Sequence, residues 1–364
     1  MAGNSFGKHF QIMTYGESHG DSIGGIIDGI PAGLRIDLQS VQEELSRRKP
    51  GQSDYVTPRK ENDKVIFNSG LIEKDGGVIT LGTPISFHIE NRDSKSSDYS
   101  HLENTYRPSH ADYTYSHKYG IRDHRGGGRA SARETASRVV AGAIAQQLIE
   151  HCCGTQICAY VDRIHDICIP NQPTFFDKTI IDSSPVRCPN PDISPRMEQR
   201  ISEVRNDGDS VGGAIVVVAR GVPIGLGEPV FDKLNADLSK ALMSIPATKG
   251  IEFGSGLSGS LQKGSQHNDR FTSTEGQVST TTNNSGGIQG GISNGEDIII
   301  RVWFKPTSTI KKPQNSVNSE GENIVLEGIG RHDPCVLPRA VPIVEAMVAL
   351  TLADHYLRNK TSKI

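Results

Sequence analysis

The segment GIRDHRGGGRASARETASRV, residues 120–139, sets Arg122, Arg125, Arg129 and Arg133 around Gly126, Gly127 and Gly128. Guanidinium forks match carboxylate and phosphate oxygens, and a glycine run leading into a helix start exposes backbone N–H groups. This spacing reads as an anion site. The competing reading is a charged turn ahead of a solvated helix face, but four arginines so close would repel one another without a counter-anion. The spacing is neither the phosphate loop G-x-x-x-x-G-K-[ST] nor the dinucleotide fingerprint G-x-G-x-x-G in a strand–turn–helix unit, so a bound phosphate requires another architecture. A second basic group, RRKPGQSDY, puts Arg47, Arg48 and Lys49 at an expected helix end. Those cations either complement the helix C-terminus or clamp an anionic substrate.

Twelve histidines are present, and two sit in compact polar settings: GESHG holds Glu17, Ser18 and His19, and RPSHADYTY holds Arg107, Ser109, His110 and Asp112. Either imidazole can move a proton near neutral pH. GESHG also matches the hydrolase elbow G-x-S-x-G, which would make Ser18 a nucleophile with a distant histidine and acid. A third setting, GRHDPCVLPRA, joins Arg331, His332, Asp333 and Arg339, where the carboxylate either moves a proton or closes a structural ion pair.

These groups need a scaffold, and the pattern supplies an α+β one. Short β-like runs at 23–27, 64–67 and 85–89 accompany an expected helix at 38–48. The clearest helix is expected at 131–151, where Ser131 and Glu134 match the S-x-x-E capping pattern and Val140, Ile144 and Leu148 recur every four residues. Further on, 156–164 suits a strand, 193–206 a helix, and 212–219 a strand buried on both faces. Residues 231–245 suit a helix closed by Pro246, 298–304 a strand, 310–323 a polar excursion, and 341–357 a terminal helix with a broad apolar stripe. Residues 254–295 carry Gly, Ser, Thr and Asn with few aliphatic anchors and read as a lid or binding loop. Irregular alternation of strands and helices favours a layered α+β domain over a barrel or an open parallel sheet.

With 364 residues the chain has ample material for a core, and its net charge of −3 gives no global field for nucleic acid or an acidic membrane. The start shows no charged flank followed by an apolar run, and no run of 18 apolar residues occurs, which reads as a cytoplasmic chain. Six cysteines without a CxxC pair or a repeated spacing point to buried or incidental thiols and to no metal site. The 39 glycines suggest backbone brought close to a ligand.

The ordered motifs GESHG, RPSHADYTY, GIRDHRGGGRASARETASRV, GLGEPVFDKL, SQHNDRF, GGIQGGISNG, FKPTSTI and GRHDPCVLPRAVPIVEAM resemble those of the chorismate synthase family, from GNSFGKHF to about Leu357. The resemblance implies a β–α–β sandwich core with antiparallel sheets, flanking helices and long glycine-rich active-site loops, as one unit over 1–360 without a separate flavin reductase domain, assembled as a homotetramer. It implies conversion of 5-enolpyruvylshikimate 3-phosphate to chorismate and phosphate, a 1,4-anti elimination that needs reduced FMN without net redox change. By motif position, His19 would protonate the departing phosphate, His110 would protonate reduced flavin or hold its charge, and Asp333 would assist removal of the substrate proton. Arg48, Arg133 and Arg339 would bind the substrate anions. FMN would meet Arg129, Ala130 and Ser131, the backbone at Pro246 and Ala247, Gly290, then Lys305, Pro306, Thr307, Ser308 and Thr309, and Arg331. Gly126–128, Gly286–287 and Gly290–291 would bring main chain near flavin or substrate. Ala130 stands where Ser is frequent, Pro246 where Asn is familiar, and Asp54 where many members carry a basic residue. An external reductant, NADPH-dependent or otherwise, would keep the flavin reduced. Serine hydrolysis through Ser18 and a noncatalytic phospho-ligand module are the competing functions.

Overall fold

Along Ile85–Glu90 the side chains of Ile85, Phe87 and Ile89 are buried while Ser86, His88 and Glu90 are not, the period-two alternation of a sheet with one covered face. A computed structural model of the chain describes residues 3–49, 63–92, 102–328 and 333–363. In it this strand belongs to a five-stranded antiparallel sheet in the order Ser5–Phe6, Gln11–Tyr15, Ser22–Asp28, Ile85–Glu90, Val65–Phe67. A second five-stranded antiparallel sheet runs Ile167–Cys168, Gln156–Ile164, Gly213–Arg220, Ile298–Phe304, Thr248–Phe253.

Two long helices fill the space between the sheets. Thr135–Cys153 packs on Gln11–Tyr15 and Ser22–Asp28, while Leu337–Asn359 packs on Gln156–Ile164 and Gly213–Arg220, and the two helices lie against each other. A Cβ on Gly142 would come within 2.3 Å of Ala346 Cβ, so the missing side chain sets how close the helices approach. Both are apolar nearly all round, as a helix buried on every side must be. The expected β–α–β sandwich is thus the arrangement found, with antiparallel sheets on an α+β scaffold. Leu337–Asn359 is long and apolar enough to cross a membrane, but 89% of its most apolar stretch is buried in the fold.

The strand expected to be buried on both faces is Gly213–Arg220. Ile215, Val217 and Ala219 join the main core, while Val216 and Val218 join a smaller cluster with Cys158, Tyr160 and Ile181. Burial pushes the thiols of Cys158 and Cys335 up to about 12 and that of Cys188 to about 11, so these cysteines are inert packing groups.

Several boundaries differ from expectation. The helix placed at 131–151 is Thr135–Cys153, preceded by two 3-10 turns, Gly128–Ala130 and Ala132–Glu134. Ser131 caps the second turn by accepting the Arg133 N–H at 3.3 Å, whereas Glu134 reaches forward to Arg138 at 2.6 Å instead of closing a capping box. The helix placed at 231–245 is Leu234–Met243. The terminal helix begins at Leu337, because Pro338 occupies a first-turn position that needs no N–H donor. Pro342 further along leaves the Pro338 carbonyl without its helical donor, and buried Arg187 donates to it at 2.5 Å. Residues 254–295 hold helical turns Gly256–Gly259 and Gly264–His267 and a hairpin of Phe271–Thr274 with Gln277–Thr280. The polar excursion at 310–323 is largely a hairpin too, Gln314–Val317 with Asn323–Leu326.

Candidate active site

Arg47 and Arg48 end the helix Leu38–Arg48, which Asp37 caps by accepting the Gln39 and Ser40 N–H groups at 2.9 and 3.1 Å. Successive residues on a helix point about 100° apart, and the two arginines are used differently. Arg47 is held by Glu44, Asp182 and Glu345 at 2.5–2.7 Å, a structural network. Arg48 turns into a cavity of about 870 Å³ that lies where the helix ends meet the first sheet. Of this dibasic pair, Arg47 is tied into an ion-pair network and Arg48 faces the cavity.

The four arginines around the glycine triplet do not converge. Arg122 binds Asp112 and the carbonyls of Leu102, Glu103 and Thr105, and Arg125 pairs with Asp123. Arg129 lines the cavity but spends its guanidinium on the first sheet, donating to Gly16 O, Thr14 O, Thr14 Oγ1 and Asn4 Oδ1 at 2.7–3.2 Å. Arg133 also lines it and pairs with Asp63, donating as well to Asn91 Oδ1 at 2.9 Å. Protein carboxylates and carbonyls, in place of one shared ligand, relieve most of the repulsion the sequence implied.

What converges instead is Arg48, Arg133 and Arg339. Asp63 lies 3.5 Å from Arg48 and pairs with Arg133, and Asp333 accepts from Arg339 at 2.5 Å. Among the described residues, three guanidiniums thus share two carboxylates, leaving positive charge for an incoming anion. Arg48 shows the cost: burial, reinforced by the Arg339 and Arg133 charges, lowers it to about 9. Lys305 is also lowered, by burial and then by Lys249.

Gly126, Gly127 and Gly128 all take positive φ, 62°, 89° and 55°, and they form a strap between the two histidines. A Cβ on Gly126 would sit 2.5 Å from His19 Cδ2, and one on Gly127 would sit 3.1 Å from His110 Cε1. The triplet therefore brings main chain against the imidazoles. His19 is buried next to Gly126, which lines the cavity, and His110 lines it directly. Ser18 follows a strand and precedes another, Ser22–Asp28, and its hydroxyl donates to Arg125 O at 3.3 Å. No helix follows it, so the strand–turn–helix geometry of a nucleophile elbow is absent.

Ala130, Ser131, Pro246, Ala247, Lys305, Pro306, Thr307, Ser308 and Thr309 line the same cavity, as does Asp333. Ala247 has φ 72° and its carbonyl accepts the Lys305 N–H at 2.9 Å, which joins two of the expected flavin-contacting segments. Gly290 does not line it. It turns a short hairpin, Ile288–Gln289 with Ile292–Ser293, and the nearby glycines serve close backbone packing: Gly286 against Gly254, Gly287 against Asp297, Gly291 against Lys233. No residue of 254–295 lines the cavity within this chain. Arg331, His332 and Asp54 lie outside the described residues. Arg107 and Asp112, named with His110 in RPSHADYTY, carried no role of their own in the sequence, and nothing near Asp63 marks it.

The family model for chorismate synthase matches residues 10–357. The chain belongs to the chorismate synthase family. A chorismate synthase of Christiangramia forsetii is 58% identical over 364 residues, covering 100% of both chains. One from Opitutus terrae is 55% identical, covering 98% of this chain and 97% of its own. The crystal structure of a chorismate synthase superposes with a TM-score of 0.77 at 30% identity, over 97% of this chain and 93% of that one. As a chorismate synthase the chain is a phosphate-eliminating carbon–oxygen lyase. It converts 5-enolpyruvylshikimate 3-phosphate to chorismate by 1,4-anti elimination, the last common step of the shikimate pathway to aromatic amino acids, with the family's requirement for reduced FMN and no net redox change. The hydrolase and binding-module alternatives are set aside.

Proposed function

We propose that the 870 Å³ cavity holds substrate and reduced FMN together, with Arg48, Arg133 and Arg339 taking the substrate's phosphate and carboxylates. The observation that carries this reading is the excess of guanidinium over carboxylate charge among the described residues of that wall. The other wall suits a flavin. Ile12, Val336, Met347 and Leu350 give it an apolar surface, and Lys305 beside Ser308 gives a cation whose burial penalty a bound phosphate would relieve. Ala130 and Ser131, presented on a 3-10 turn, offer backbone contacts that do not depend on a serine at position 130.

Reduced FMN, which Ala130, Ser131, Ala247 and Lys305 would hold, would supply the electron density that helps the C–O bond break. The chain's residues do the rest. His19 gives a proton to the departing phosphate, and the guanidiniums hold that phosphate's growing charge in a desolvated site. Asp333, fixed by Arg339 and by the Thr307 hydroxyl on its carbonyl at 2.7 Å, provides the protein end of the route for the proton lost from the ring carbon. His110 carries the proton that sets the charge of the reduced cofactor. Residues 1–360 act as one unit, and an external donor, NADPH-dependent or otherwise, supplies the electrons in the cytoplasm. Met13, Tyr15, Ile26 and Ile66 are exposed on the first sheet, and this apolar surface supports the homotetramer.

Under anoxic conditions, chorismate should form only when both the phosphorylated substrate and reduced FMN are present. Turnover without flavin, or none with reduced FMN, contradicts the reading. Arg48 also sets a pH dependence. The folded chain holds the Arg48 proton less tightly than an ordinary arginine does, so fold stability rises as pH climbs above about 9, where the unfolded chain still retains the extra proton. Substrate binding runs the other way, because the anion needs the charged form. Affinity for 5-enolpyruvylshikimate 3-phosphate, followed by titration of the apoprotein, should weaken as pH rises through about 9.

A further inference from the structure

His110 is turned by a neighbour that the reaction itself does not use. Asp112 opens the helix Asp112–Tyr119 and is buried. Its Oδ2 accepts from the Arg107 backbone N–H at 3.0 Å and from Arg107 Nε at 2.7 Å. Its Oδ1 accepts from Arg107 Nη2 at 2.8 Å, from Arg122 Nη1 at 3.2 Å, and meets His110 Nδ1 at 3.0 Å. Backbone N–H and guanidinium groups can only donate, so these contacts demand an ionised carboxylate. Burial alone would raise the carboxyl, but the hydrogen bonds from Arg107 and His110 outweigh it and hold the group far below the usual carboxylate range. An ionised carboxylate has no proton to offer His110, so Nδ1 must carry the hydrogen between them.

We propose that Asp112 is a positioning residue whose carboxylate, clamped by Arg107 and Arg122, fixes His110 as the Nδ1–H tautomer and leaves Nε2 as the atom that exchanges a proton in the cavity. The backbone on the other side is clamped too. Ser109 has φ 56°, and its carbonyl accepts from Lys305 Nζ at 3.1 Å and Ser308 Oγ at 3.0 Å, so the ring is held at both its Cα and its Nδ1. The consequence for turnover rests on the role proposed above for His110; the tautomer does not.

The test is a long-range ¹H–¹⁵N correlation on the ligand-free full chain at about pH 8.5, where an ordinary imidazole is neutral. The wild-type His110 should show a protonated Nδ1 and a bare Nε2. Asp112→Asn, whose amide can present N–H₂ to the ring, should shift His110 toward the Nε2–H form and lower kcat about 10²-fold with little change in KM, while Asp112→Glu recovers part of the rate. An unchanged tautomer in Asp112→Asn overturns the proposal. Should that variant fail to fold by circular dichroism, the wild-type spectrum decides alone, its His110 signal assigned by loss in His110→Ala: an Nε2–H ring there overturns the proposal. His110→Ala with full activity would sink the flavin role of His110 and leave the tautomer result standing.

Discussion

His110→Ala and His19→Ala should each lower the rate of chorismate formation about 10²–10⁴-fold, the range for loss of a positioned proton carrier. The two effects should differ in kind. His19 lies behind Gly126 and does not itself line the cavity, so its loss should leave FMN affinity near that of the parent and act on phosphate departure alone. His110 faces the cavity between Ser109 and Gly127, so its loss should also weaken binding of reduced flavin more than of oxidised flavin. Anaerobic stopped-flow turnover with parallel titrations in both flavin states separates the cases. A turnover within about threefold of the parent in either variant rejects that residue as a proton carrier. Both variants should fold, because truncating a side chain beside a glycine strap leaves the two sheets and the helix pair untouched.

Arg48→Met should separate binding from stability. The KM for substrate should rise about 10²-fold, the value of a charge-assisted hydrogen bond in a desolvated site. The thermal midpoint should hold or rise by a few degrees, because the substitution removes a buried cation that its surroundings disfavour and leaves Asp63 paired with Arg133. The missing donations to Ala132 O at 2.6 Å and Thr135 Oγ1 at 3.3 Å oppose this, and the Thr135 hydroxyl already satisfies Ala132 O at 2.6 Å. Calorimetry beside substrate titration reads both. A large fall in midpoint would make Arg48 a structural residue and not a ligand clamp.

The sequence made the scaffold legible wherever periodicity and burial agree. The helix at Leu38–Arg48 and the strands Gln156–Ile164 and Ile298–Phe304 fall where their patterns place them. It misled where a side chain chose between partners that are distant in sequence. Glu134 matched a capping box yet pairs with Arg138, and the arginine cluster scattered to Asp112, Asp123, Thr14 and Asp63. Many of the residues that the motif resemblance names line the cavity, whereas Gly290 turns a hairpin outside the lining that this chain supplies. Asp63 was invisible because a lone aspartate gains meaning only when the fold sets it between Arg48 and Arg133.

The cavity draws on Asn4 and Ser5, on Arg48, on the strap at Gly126, on Lys305 and on Arg339 and Leu350. Its walls therefore belong to segments separated by most of the sequence, the connectivity that slows folding because long loops close before contacts reward them. During synthesis a nascent chain carrying the first sheet and the glycine strap would present Arg48 and Arg133 without Arg339 or the terminal helix behind them. Affinity for cofactor and substrate would then arrive in one late step, when Leu337–Asn359 docks. A half-made chain would thus neither sequester flavin nor hold the phosphorylated intermediate unproductively.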